Sequence, residues 1–254
     1  MQGFGDYYQP GAYDGRWLCD YTNTSPDLYT NTVVCLDDAA PIPPPPSGCV
    51  CPPVEPLQDR FLRDEQIGLL PGSTVARLTA TCAEGTALVG GSCTLAFPIN
   101  FVNDYIKLVS NGFARDMAGN DVWECTWSNG STMGVSPAVE ALCLRPPMAG
   151  TAPEAEPISD RLIKVEQRGT LSAGASIIKA TCADGDLLLR GGCTLEDFEA
   201  APSDLTTFRS GFVLRENPGD GLPDTWQCGW NNPSGSSTPA AIATALCVRP
   251  PATP

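Results

Sequence analysis

Residues 80–95 read ATCAEGTALVGGSCTL, and residues 180–195 read ATCADGDLLLRGGCTL. Two stretches this alike in one chain mark an internal repeat, and a repeat dictates how the rest of the sequence is divided. Working outward, Gly112-Phe113 matches Gly211-Phe212, and Trp123-Glu124-Cys125-Thr126-Trp127 matches Trp226-Gln227-Cys228-Gly229-Trp230. ALCLRPP at 141–147 returns as ALCVRPP at 245–251. Upstream, Asp59-Arg60 and Glu65-Gln66 match Asp160-Arg161 and Glu166-Gln167.

The positions kept between copies are those of a small stapled β-domain. In W-x-C-x-W the three large side chains share one face of a strand, because strand side chains alternate. That face is expected to be buried against disulfides and the apolar runs Leu88-Val89 and Leu187-Leu188-Leu189. The glycine pairs Gly90-Gly91 and Gly191-Gly192 fit a bulge, or backbone squeezed against a neighbour. RPP ends the sheet, since proline cannot continue its ladder. Alternation over Thr74–Cys82 reads as a strand, and helical periodicity is confined to short turns near 58–66 and 195–200.

Composition agrees. Glycine and proline number 25 each in 254 residues, as tight turns between many short strands require. The fold class expected is all-β: two tandem antiparallel sandwiches or barrels over 57–149 and 158–254, joined by a short extended linker at 150–157 and preceded by an arm over 1–56. At roughly 90 residues each, such units gain considerably from staples.

Twelve cysteines and no histidine favour disulfides over zinc, which wants compact ligand pairs. An oxidising, extracellular setting follows, a hyperthermophile's cytoplasm being the known exception. Each repeat holds four cysteines, which allow three connectivities: Cys82, Cys93, Cys125 and Cys143 in the first, and Cys182, Cys193, Cys228 and Cys247 in the second. The block A-T-C-x-x-G-x-x-x-L-x-x-G-G, followed by a tryptophan strand and a closing cysteine strand, resembles a short module of bacterial secreted and surface proteins. The resemblance covers residues 74–147 and 175–251 and implies a β-sandwich surface module with no defined activity. Simpler versions carry only the first and last cysteines. It therefore implies Cys82 with Cys143 and Cys182 with Cys247, leaving Cys93 with Cys125 and Cys193 with Cys228; the second pair in each unit is a departure from the module.

The arm matches neither repeat. Its start is rich in aromatics (Phe4, Tyr7, Tyr8, Tyr13, Trp17, Tyr21, Tyr29), against a purely disordered tail. Strand-like pieces at 16–21 and 32–36 flank the turn-forming Asn23-Thr24-Ser25-Pro26-Asp27, so a hairpin with Cys19 facing Cys35 is one option. Pro41-Ile42-Pro43-Pro44-Pro45-Pro46 is a stiff spacer. Cys49 and Cys51 point to the same side of an extended chain and rarely bond each other; they pair either within the arm or on another subunit.

The net charge of −14 offers no basic face for nucleic acid or anionic membrane, and no apolar run reaches membrane-spanning length. The stretch after Met1 lacks the basic and apolar regions of a signal peptide, so a signal is expected to have been removed or to lie outside this record. Without histidine, Ser–His–Asp and Cys–His catalysis are impossible. Acidic residues such as Asp121, Glu124, Asp184 and Asp186 read as solvated loop charges, and neither a phosphate-cradling nor a dinucleotide fingerprint occurs. No enzyme and no cofactor are expected. Asp116, Asn120 and Asp121, and Glu216, Asp220 and Asp224, offer oxygen ligands without the spacing of a calcium loop. Asn23-Thr24-Ser25 and Asn129-Gly130-Ser131 match the glycosylation pattern.

Two functions are expected to compete. One is a structural subunit of an extracellular filament, appendage or sheath, whose arm, with Trp17, Cys49 and Cys51, docks on the next copy by strand addition. The other is a surface adhesin or carbohydrate-binding module stacking sugars on exposed aromatics. A protease inhibitor, with no identifiable reactive loop, stands third.

Overall fold

The computed structural model describes residues 2–9, 16–22, 55–95, 105–149, 157–196, 204–213, 224–233, 235 and 239–250, the first two stretches as backbone. In the arm, β1 (Gln2–Gln9) and β2 (Arg16–Thr22) form an antiparallel pair. The first repeat folds into β3 (Phe61–Ile67), β4 (Thr74–Thr81), β5 (Ala87–Leu95), β6 (Ile106–Arg115), β7 (Asp121–Asn129) and β8 (Pro137–Leu144). The second supplies β9 (Leu162–Thr170), β10 (Gly174–Thr181), β11 (Leu187–Leu195), β12 (Thr206–Phe212), β13 (Thr225–Asn232) and β14 (Ala240–Val248).

The protein is an all-β molecule in which each repeat makes a sandwich of three strands on three. In the first, β4-β7-β6 packs on β3-β8-β5; in the second, β10-β13-β12 packs on β9-β14-β11. Every strand pairing is antiparallel. The alternation of W-x-C-x-W sets the interior: Trp123, Cys125 and Trp127 of β7, and Trp226, Cys228 and Trp230 of β13, are all buried. The glycines show why they recur. A Cβ on Gly91 would lie 2.2 Å from Trp123 Cγ, and one on Gly191 would lie 2.1 Å from Trp226 Cγ, so each tryptophan rests on bare backbone. A bulge precedes each of these glycines, between Leu88 and Gly90 and between Leu188 and Arg190.

Four disulfides cross between sheets. Cys82 is bonded to Cys143, Cys93 to Cys125, Cys182 to Cys247 and Cys193 to Cys228, with Cα–Cα distances of 5.6, 5.8, 5.8 and 5.5 Å. The first pair of each sandwich closes its rim and the second its middle.

Helix is confined to a 3-10 turn at Leu57–Arg60 and one α-turn at Ile158–Arg161 among the described residues. The short turn expected near 58–66 is the 3-10 turn at its start, and the rest of that stretch is strand, because Phe61–Ile67 takes the edge beside β8; the turn expected near 195–200 falls mostly outside the described residues. In the arm, β2 pairs with β1, which puts Cys19 opposite Asp6; the segment 32–36 proposed as its partner is outside the described residues. No described helix is long and apolar enough to cross a membrane.

The sandwiches are not beads on a string. Edge strand β6 meets edge strand β11 at Asn111 opposite Cys193, which makes one six-stranded sheet, β4-β7-β6-β11-β14-β9. On β11, Arg190 lies over Trp123 of the first sandwich, while its neighbour Gly191 faces Trp226 of the second. Successive strand residues face opposite ways, so the two outer sheets cover opposite faces of the shared one. The cores interlock accordingly, Val109 of β6 joining the second and Leu246 of β14 the first.

Candidate functional site: the junction and the open sheet edges

The junction between the sandwiches combines positions at which the copies differ with positions that both keep, such as Gly112 and Trp230. Gly90 stands where the second repeat has Arg190. A Cβ on Gly90 would come within 2.7 Å of Arg190 Cδ. Glycine there lets the guanidinium lie 5.3 Å from the Trp123 ring centroid and donate to Gly91 O at 2.8 Å, a cation–π arrangement worth about 0.5–2 kcal/mol. Beside it, a Cβ on Gly112 would be 2.6 Å from the Gly192 Cα, and one on Gly192 would be 2.3 Å from the Gly112 Cα. Both strands must therefore carry glycine for β6 and β11 to touch. Trp230 donates its indole N–H to Val109 O at 3.3 Å, the Thr207 hydroxyl donates to the same carbonyl, and Arg77 donates to Leu195 O at 2.8 Å.

Three edges bear on function. Among the described residues β12 pairs only with β13, leaving its other side without a ladder. Strand β5 is likewise an edge of β3-β8-β5, and β1 of the arm runs beside it. Strand β2 pairs with β1 alone. Phe208 of β12 and Ile177 of β10 are 46% and 53% exposed on the outer face of β10-β13-β12. The equivalent face of β4-β7-β6 is covered instead and holds Ser110, Glu124 and Thr126 buried.

That covered face corrects one expectation. Glu124 is no solvated loop charge: it sits mid-strand in β7, 3% exposed, 3.2 Å from the Arg77 guanidinium. Burial pushes its carboxyl up to about 7, with Arg77 and Thr126 pulling the other way. The second repeat puts Gln227 and Ile177 at the matching positions. Glu140, on β8 opposite Glu65, is also raised, chiefly by burial and against the pull of Arg63.

The candidate calcium loop is self-contained. Asp116 accepts from Ala118 N, Asn120 N and Asn120 Nδ2 at 2.9, 2.8 and 2.9 Å, bonds that hold its carboxyl below the usual range. Asp121 pairs with Lys164 and Arg115. In the other loop Glu216 and Asp220 lie outside the described residues, and Asp224 caps Leu188 N. No group of three or more metal-ligating side chains occurs among the described residues. Asn129 is also not offered for glycosylation: it is 1% exposed and donates to Pro71 O and Met133 O. Its counterpart Asn232, equally buried, donates to Leu171 O. Asn23 is outside the described residues.

The sequence reading missed these asparagines, although W-x-C-x-W-x-N at 123–129 and 226–232 carries the signal. It also missed why Asp-Arg and RPP recur: Arg145 N donates to Arg60 O and Arg60 Nε to Arg145 O, and Arg249 N donates to Arg161 O in the same way. Glu55 then clamps Arg145, whose hydrogen bonds, with one from Met148 N, hold the Glu55 carboxyl low. Of the residues assigned to assembly, Trp17 lies on β2 beside Cys19, and Cys49 and Cys51, with Cys35, lie outside the described residues. No protein-family profile matches the chain, and no curated protein is similar to it.

Proposed function

We propose that this chain is an extracellular structural subunit that assembles with copies of itself through its N-terminal arm, in a surface filament, appendage or sheath. One observation carries the reading: the arm holds strand β1 alongside β5, an edge of the first sandwich. A strand that seeks a sheet edge, tethered by a long proline-containing connector, is the means of strand addition between subunits. Head-to-tail docking of this kind does not close and yields fibres. Four inter-sheet disulfides suit an oxidising exterior and give the body the rigidity a load-bearing unit needs. Burial of Trp123, Trp127, Trp226 and Trp230 removes four of the five tryptophans from sugar stacking, which weighs against the carbohydrate-binding alternative.

In this reading Cys49 and Cys51 lock neighbours covalently. The oxidised full-length protein is expected to run as a ladder of large species on non-reducing gels. Reductant collapses the ladder, and deletion of residues 1–56 shortens or abolishes it. A protein that stays monomeric in both redox states contradicts the proposal.

A further inference from the structure

The junction inside the chain supplies a template for what the outer edges accept. Strand β12 is the second repeat's counterpart of β6, and its Gly211 is the counterpart of Gly112. Each lies opposite the matching residue of the central strand, Gly112 opposite Glu124 and Gly211 opposite Gln227. In the first repeat the glycine has a reason, since any Cβ there would strike Gly192 of the partner strand β11. In the second, among the described residues, a Cβ on Gly211 meets nothing within 4 Å, and its φ is not in the left-handed region. Glycine lowers strand stability, yet it is kept here, on an edge with no second ladder and beside the exposed Phe208 and Ile177.

The geometry points to β12 as an acceptor edge that takes strand β1 of a second copy of this chain, at Gly211, in the way β6 takes β11 at Gly112. This rests on the arm reading above and names the surface the arm binds. The strand offered must itself be glycine-bearing, since the internal junction needs glycine on both sides. Strand β5, the sequence counterpart of β11, has Ser92 in place of Gly192. The arm's β1 carries Gly3 and Gly5 and already lies beside one sheet edge. Reach is sufficient: thirty-two residues separate Thr22 from Glu55, and such a stretch spans on the order of 100 Å when extended.

Three measurements on the full-length oxidised protein decide it: mass by light scattering, thermal midpoint, and hydrogen exchange at the β12 amides. Gly211→Val, which finds open space in the isolated chain, is expected to leave the midpoint within a few degrees and to reduce the assembled fraction at least tenfold. In the wild type, the β12 amides are expected to slow markedly on assembly. Tyr7→Pro, which removes a backbone donor from β1 and changes no residue of either sandwich, is expected to give the same loss of assembly. If Tyr7→Pro dissociates the assembly while Gly211→Val assembles like wild type and β12 exchanges unchanged, the acceptor assignment is overturned and the arm reading survives. If Tyr7→Pro assembles normally, both fall. Should Gly211→Val not fold, the wild-type exchange and Tyr7→Pro still decide the matter.

Discussion

At the scale of single residues, the copies act as a substitution experiment already performed. At several positions that both keep, the structure shows a contact that needs the residue: Gly91 and Gly191 against the tryptophans, Asn129 and Asn232 bracing the turns, Arg60 and Arg161 closing the last strands. Where they differ, chemistry differs. Glu124 is buried with a carboxyl near 7, and Gln227 replaces it in the second repeat. Its folded pKa is raised above the ordinary 4.5, so the fold favours the protonated form. The stabilisation is full below about 4.5 and is lost as pH climbs through 7. Over that window the loss is on the order of 3 kcal/mol. Asp116 and Glu55, held low, are ionised in both states above pH 5 and contribute nothing to this slope. Glu124→Gln is therefore expected to flatten the fall in stability between pH 5 and 8 and to leave the variant the more stable protein at pH 8. Urea midpoints at the two pH values check this; an unchanged slope contradicts it. The sequence reading took Glu124 for a solvated loop charge because acidic residues that look turn-like and differ between the copies read as surface, and nothing local shows that this face is covered.

Among elements, the strand at Thr74–Cys82, the tryptophan strand and the closing strand were legible because alternation, bulge glycines and RPP stops are local signals, whereas β3 was read as turn. The four pairings join sheets that sequence leaves adjacent in either order, and here the resemblance to a secreted module named them before the structure did. Each sandwich carries a mid-sheet bridge. Cys93 and Cys125 are separated by 32 residues, a loop whose closure is worth about 3–4 kcal/mol in the chain-entropy account. Replacing both by alanine is expected to lower unfolding free energy by about 2–4 kcal/mol while the rim bond Cys82–Cys143 keeps the fold assembled, as chemical denaturation under oxidising conditions would show. A loss below about 1 kcal/mol would mean that the tryptophan layer, not the sulfur, holds the sheets. Pairing of β2 with β1 was not legible: both are short aromatic runs, and the turn signal at 23–27 pointed forward along the chain, whereas the structure pairs β2 backward.

For the molecule as a whole, the shared six-stranded sheet was the least legible feature. The sequence suggested two domains on a linker, since some of the contacts that fuse them fall at positions where the repeats diverge, such as Gly90, Arg190 and Arg77, and divergence reads as drift. Gly90 against Arg190 looks like noise until the guanidinium is seen lying on Trp123. The shared sheet joins the two sandwiches, and the inter-sheet sulfur bonds are the premise on which the proposed compartment and assembly depend. The most direct test is peptide mapping without reduction on a co-assembled mixture of isotopically light and heavy chains. Cys82–Cys143, Cys93–Cys125, Cys182–Cys247 and Cys193–Cys228 are expected only as same-label pairs, and the peptides holding Cys49 and Cys51 as mixed-label pairs. Free thiols at those eight positions would contradict the account at its base, and arm cysteines linked only within one chain would contradict the covalent lock.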